Sequence, residues 1–284
     1  MKTTIRLVLI LVIIFALLMI YKKYVNNKEE NTIRQASLQV AEQYMRDGDY
    51  DKAFKEIDAY YKYCLASDYG ASFGARGSFA LTSLQKIIEN FPEGRKKLDQ
   101  ECVNLESAII NGNINGYKFD EKYLQSKNPQ KKEEFDQEIK IGMLFETLVF
   151  FNKARKMDQQ TISLFEKLES ANPSIAQKEW NMMKDIVFRE KRYDIASHYI
   201  KDLDKACRQL MGNRSKMIKE NPIFQKDKTF LVQSIKDLLD FGLATNQKTT
   251  VKKLVKDLLK QDDINPDHFK QYMNLTTKKQ NDAE

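Results

Sequence analysis

Three groups of side chains have types and spacing that chemistry could use. Gly70, Gly74 and Gly77 lie within YGASFGARGSFAL. A glycine-rich run ahead of a helix can present backbone N–H groups to phosphate. A phosphate-cradling loop closes on Gly-Lys-Ser/Thr, whereas this run closes on Gly77-Ser78-Phe79. The same spacing sets the three glycines on one helical face with Leu81, which reads as close helix packing or a flexible helix entry. Asp47, Asp49 and Asp51 alternate like the first ligands of a calcium loop, but the sixth and twelfth positions are Lys52 and Asp58. Such a loop requires Gly and Glu there, so the segment reads as a turn. Asp262, Asp263 and Asp267 approach His268 in a loop closed around Pro266, and solvated acids account for them.

Nothing else in the chain demands catalysis. Cys64, Cys102 and Cys207 are far apart, no Cys-x-x-Cys occurs, and His198 and His268 are the only histidines. They complete no familiar zinc site, and each cysteine falls in an apolar helical pattern that reads as a buried thiol. Neither Gly-x-Ser-x-Gly nor His-Glu-x-x-His is present. The expectation is no catalytic residue, no cofactor, no metal and no enzyme. The net charge of +7 owes four of its lysines and arginines (Lys2, Arg6, Lys22, Lys23) to the first 24 residues. Nucleic-acid binding needs a clustered basic face, so no nucleic-acid partner is expected.

The elements that position these groups are helices. With 10 Gly and 5 Pro in 284 residues, the chain is short of the turns that sandwiches and barrels require. Apolar residues recur at i, i+3, i+4 and i+7. One stripe is Ile33, Ala36, Val40, Ala41 and Tyr44; a second is Ala53, Ile57, Tyr60 and Cys64, with Phe54 and Tyr61 alongside. Leu81, Leu84, Ile88 and Phe91 repeat the spacing, as do Leu98, Cys102, Leu105 and Ile109. Two Asn-Gly turns, a Pro and a charge run mark 111–134 as a loop between N-terminal hairpins (33–110) and C-terminal hairpins (135–276), with a tail at 277–284. Helices are predicted in the second half over 136–154, 159–171, 175–190, 193–211, 228–244 and 248–260.

Two turn motifs fall in phase with these stripes. In the first, Ala41 and Tyr44 precede Gly48-Asp49-Tyr50-Asp51-Lys52-Ala53. In the second, Trp180, Met183, Lys184 and Val187 precede Tyr193 and Ala196. A weaker copy ends at Pro173. The pattern resembles tetratricopeptide repeats, whose period is 34 residues. The resemblance covers about half the chain and departs from the family at Lys184, where Gly is usual. It implies stacked antiparallel hairpins, an α-solenoid, in which Ala41, Tyr44, Gly48, Tyr50, Ala53, Trp180, Tyr193, Ala196 and Pro173 are structural. Stacked hairpins leave a curved surface suited to a partner protein. Tyr60, Tyr61, Tyr63 and Tyr69 crowd the end of one helix and are the candidate partner surface, since Tyr is enriched at hot spots; the competing reading puts half or more of these rings in the core.

The N-terminus reads as a membrane signal. Leu7–Tyr21 carries no charge and is flanked by Lys2 and Arg6 before and Lys22 and Lys23 after. An uncleaved signal anchor over 1–24, followed by a polar tether at 25–32, is the first reading; a cleaved secretory signal is the second, although no A-x-A-like site follows the run. The expectation is thus an all-α, single-pass membrane scaffold that binds a partner protein outside the cytoplasm. The alternatives are an exported helical enzyme or ligand-binding protein using carboxylates such as Asp262 and Asp267, and a protein secreted after signal cleavage.

Overall fold

The stripe Ala53, Ile57, Tyr60 and Cys64 is buried along one face of a single helix, as its spacing requires. The structure is a computed structural model that describes residues 37–67, 69–130, 132–221, 224, 229, 231–261 and 264–277. Every regular element among the described residues is helical, and none is a strand. The chain divides into two units, the first ending at Thr161 and the second starting at Ile162.

The first unit contains α1 (37–46), α2 (Tyr50–Ser67), α3 (Tyr69–Ala75), a π-helical turn (Arg76–Ala80), α4 (Leu81–Asn90), α5 (Pro92–Asn111), α6 (Glu121–Lys127) and α7 (Glu133–Arg155). From Ile141 to Ala154, α7 is buried on nearly every side. A helix apolar all round belongs inside its domain, and α7 packs against both α4 and α5. Helix α5 starts with Pro92 in its first turn and stops at Gly112, whose φ of +68° is the left-handed conformation glycine adopts freely. The stripes Leu81–Leu84–Ile88 and Leu98–Cys102–Leu105–Ile109 are buried here. Val40 is 40% exposed, so the stripe read through it turns partly to solvent.

The second unit holds most of α8 (Asp158–Ala171), then α9 (Pro173–Arg189), α10 (Tyr193–Tyr199), α11 (Leu203–Glu220), α12 (Val232–Ala244), α13 (Lys248–Leu258), a 3-10 turn (Pro266–Phe269) and α14 (Lys270–Thr277). The segment predicted as one helix over 193–211 is two. Asp202 caps α11 by accepting from the N–H of Lys205 at 2.9 Å, and that cap ends the chain's run through Ile200. Helices α11 and α12 pack tightly enough that a Cβ on Gly242 would lie 2.4 Å from Leu203 Cδ2 and 2.6 Å from Val251 Cγ2.

Four corners share one geometry. Gly48, Lys156, Lys191 and Asn246 have φ of +78°, +60°, +55° and +61°. The next residue's N–H donates to the carbonyl five positions back: Asp49 to Tyr44 (2.9 Å), Met157 to Asn152 (2.9 Å), Arg192 to Val187 (2.9 Å) and Gln247 to Gly242 (2.7 Å). This is the Schellman closure of a helix C-terminus, and a new helix begins one residue later each time.

The expectation of a single-pass membrane protein is corrected. Among the described residues no helix is long and apolar enough to cross a membrane. The run Leu7–Tyr21, with the boundary at 24 and the tether at 25–32, lies outside the described residues, as do Ile33 and Ala36. The fold class is therefore stated as all-α, and no anchor helix is among the described residues.

Candidate functional site

A cavity of about 460 Å3 opens in the first unit where α2, α5 and α7 meet the segment that follows α5. Its floor is apolar. Tyr61 and Phe151 meet edge to face, with ring centroids 4.9 Å apart, and Leu105 lies beside them, 1% exposed. Its mouth is charged: Asp58 and Lys62 on α2, Glu101 on α5, and Lys118 on the covering segment. Lys62 Nζ pairs with Asp58 Oδ2 at 2.7 Å, one helical turn apart. This size, with an apolar floor and a few polar groups, is that of a small-molecule site.

The covering segment is held in place by Asp120. Its N–H donates to the carbonyl of Leu65 at the end of α2 (2.9 Å). Its carboxylate accepts from the N–H of Tyr69 (3.0 Å) and from the N–H of Tyr123 (3.1 Å), the second bond capping α6. Asp120 is 6% exposed, and three backbone groups satisfy it where water is scarce. Gly116, Tyr117 and Lys118 are thereby laid across the cavity. Burial, and then the charge of Glu101, push the Tyr117 phenol up to about 12.

Behind the floor lies a buried polar network. The Tyr61 hydroxyl donates to the carbonyl of Arg76 at 2.9 Å. Arg76, 1% exposed, occupies the π-helical turn, with its guanidinium 4.1 Å from the Tyr69 ring centroid and 5.6 Å from that of Phe150. Arg76 Nη2 donates to the Tyr69 carbonyl (3.1 Å) and stands 4.0 Å from Glu146 Oε2. Tyr69 Oη donates to the same carboxylate. Burial raises the Glu146 carboxyl above its ordinary range, against the pull of Tyr69 and Arg76. The wide turn is closed by the hydroxyls of Ser78 and Thr82, which donate to the carbonyls of Gly74 (2.6 Å) and Ser78 (2.9 Å). Single π-helical turns recur at functional positions, and here the turn places the carbonyl that orients the floor tyrosine.

The tyrosines read as a partner surface are placed otherwise. Tyr60, Tyr61 and Tyr69 are 1%, 3% and 3% exposed, and Tyr63 is half-buried. The α2 stripe turns Tyr60 and Tyr61 toward the unit's core, and Tyr69, the first residue of α3, is buried there as well. Gly70 and Gly77 permit close approach, to Tyr123 and Phe150 respectively. Asp49 accepts from the N–H of Lys52 and binds its ammonium at 2.6 Å, which makes it a helix cap. Ala41, Ala53 and Ala196 are fully buried; Tyr44, Tyr50, Trp180 and Tyr193 are half-buried, and Pro173 is exposed at the first turn of α9. Trp180 stacks on Tyr199 (4.5 Å, interplanar 4°) beside a groove of about 530 Å3 in the second unit, rimmed by charges of both signs including Lys184, Asp185, Lys205 and Asp237. Asp262 and Asp263 lie outside the described residues; Asp267 is exposed and pairs with Lys270 at 2.9 Å. No cluster of His, Cys, Asp or Glu able to hold a metal occurs among the described residues.

Sequence reasoning missed Asp120 and Glu101. The Asp120-Glu121-x-Tyr123-Leu124 stretch carries a helix-cap signal inside what composition marks as loop. Nothing in the sequence brings Glu101 to Tyr61 and Phe151.

No family model, no curated protein and no solved structure matches the chain. The tetratricopeptide resemblance is corrected accordingly. The corners at Gly48 and Lys191 do turn one helix into the next, but α10 has only seven residues, and a π-helical turn and a short α6 interrupt the first unit. These unequal elements form no regular array. The scaffold reading, and the partner protein and extracytoplasmic placement that came with it, thus lose the repeat, the tyrosine surface and the anchor that supported them.

Proposed function

We propose that this protein is a non-enzymatic binding protein whose first unit takes a small organic molecule with an apolar body into the cleft over Tyr61 and Phe151. One observation carries the reading: the 460 Å3 cavity joins a packed aromatic floor to a charged mouth, with its cover pinned through the buried Asp120. A fixed floor and a fixed cover reduce the ordering cost of binding. The floor offers apolar area, which drives association without directional demands, while the mouth groups orient the guest.

The test is a ligand-observed NMR screen of the full chain against aromatic and aliphatic fragments. Gly116 lines the mouth, and a Cβ there would meet nothing within 4 Å. Gly116→Trp therefore adds a bulky ring at the mouth with no clash at its Cβ. Fragments that bind the parent and are lost in Gly116→Trp support the reading. Hits that survive the plug, or no hits at all, reject it.

A further inference from the structure

We infer that the guest of this cleft is an organic cation, an amine or guanidine carrying an aromatic or aliphatic body, with Glu101 as its counter-ion. The inference rests on the cleft reading above and adds the charge of the guest.

Four observations point the same way. Glu101 is half-buried at the mouth and has no hydrogen bond or ion pair among the described residues. The neighbouring ammonium, Lys62, feels the charge of Glu101 but is held by Asp58 at 2.7 Å, so two carboxylates on α2 and α5 share that one ammonium. The opposite charge, Lys118, also lines the mouth but is exposed where Glu101 is half-buried, so solvent screens it more strongly. The rings of Tyr61, Phe151 and Tyr117 surround the space, and the negative faces of aromatic rings attract cations that have lost part of their hydration. A half-buried carboxylate flanked by rings favours a cation with an apolar body over a free metal ion or a small inorganic ion. The raised phenol of Tyr117 agrees with this placement, since the charge of Glu101 is one of its two causes.

Three probes of similar size separate the possibilities: 2-phenylethylamine, 2-phenylethanol and 3-phenylpropionate, titrated into the full chain at neutral pH and low salt. The amine is expected to bind about tenfold more tightly than the alcohol, the scale of one partly screened charge-assisted bond. In Glu101→Gln that preference should vanish while alcohol binding persists, which shows that the variant is folded and its cleft intact. Equal affinity for amine and alcohol, or preference for the carboxylate, overturns the inference and leaves the cleft reading standing. Failure of all three probes rejects both. An amine preference that survives in Glu101→Gln also overturns it, because the counter-ion would then lie elsewhere.

Discussion

The carboxylate of Asp120 accepts the backbone N–H of Tyr69 at 3.0 Å, 51 residues earlier in the chain. This bond fastens the start of α3 to the start of α6, and both to the end of α2 through the Asp120 N–H. One side chain thus ties the cover of the cleft to α3, the helix that leads into the Arg76 turn.

Asp120→Ala should destabilise the protein strongly. It removes the cap of α6, worth about 1 kcal/mol, and strands the N–H of Tyr69, worth about 1–3 kcal/mol more. The expected loss is about 2–4 kcal/mol in urea unfolding. A loss below about 0.5 kcal/mol, the scale of an ordinary surface change, would show that the clamp contributes little.

Much of the helical framework was legible before the structure. The stripes in α2 and α5 needed only the 3.6-residue period, and Gly48 and Asp49 announced their corner through a residue tolerant of positive φ and a side chain that caps. Lys191 gave no such announcement, since a lysine at positive φ looks like any exposed lysine. The cleft was not legible, because Tyr61, Glu101 and Phe151 come from three helices joined only by tertiary packing. The segment over 111–134 misled for a related reason: its polar composition suggests loop, and the order it has comes from Leu124 and Asp120 docking against residues far away in sequence.

Two glycines in the second unit should respond in opposite directions to alanine. At Gly242 the new methyl would collide with Leu203 and Val251, and overpacking typically costs about 1–3 kcal/mol. At Gly212, within α11, nothing lies within 4 Å of the added carbon. Helix propensity then governs, and Gly212→Ala should gain about 0.5–1 kcal/mol. Thermal unfolding of the pair checks both signs at once.

Glu146 should make stability depend on pH in a direction unusual for a carboxylate. Burial raises its folded-state pKa above the ordinary 4.5. The neutral form is therefore favoured on folding, and its contribution is complete below the unfolded pKa. It is lost as pH rises from about 4.5 through the raised value. Glu146→Gln lacks this dependence, so the stability of the parent relative to the variant should fall as pH climbs. Urea unfolding of both proteins from pH 4 to pH 8 measures the difference; a relative stability that rises across that range contradicts the assignment.

The three thiols should be inert in the folded state. Cys64 and Cys207 have no exposure and Cys102 has 5%. All three are free. Burial pushes Cys102 up to about 11 and Cys207 up to about 12, and the thiolate is the reacting form. An aromatic disulfide reagent at pH 8 should modify none of them rapidly, and all three once urea unfolds the chain. Prompt reaction of even one thiol in the native protein would show that its helix opens readily.

Trp180 is the sole tryptophan, so its stacking on Tyr199 can be read directly. The rings are nearly parallel, with centroids 4.5 Å apart, and Phe188 meets the indole edge-on at 6.4 Å. Aromatic pairs contribute about 0.5–1.5 kcal/mol beyond the area they bury, and Tyr199 also anchors the end of α10 against Phe165. Tyr199→Ala should therefore cost about 2–4 kcal/mol, as aromatic truncations in packed surroundings do. It should also shift tryptophan emission to the red, because water replaces the phenol ring on one face of the indole. Tyr199→Phe keeps the stack and should leave the emission unchanged. If alanine and phenylalanine give the same spectrum, the stacked arrangement does not persist in solution.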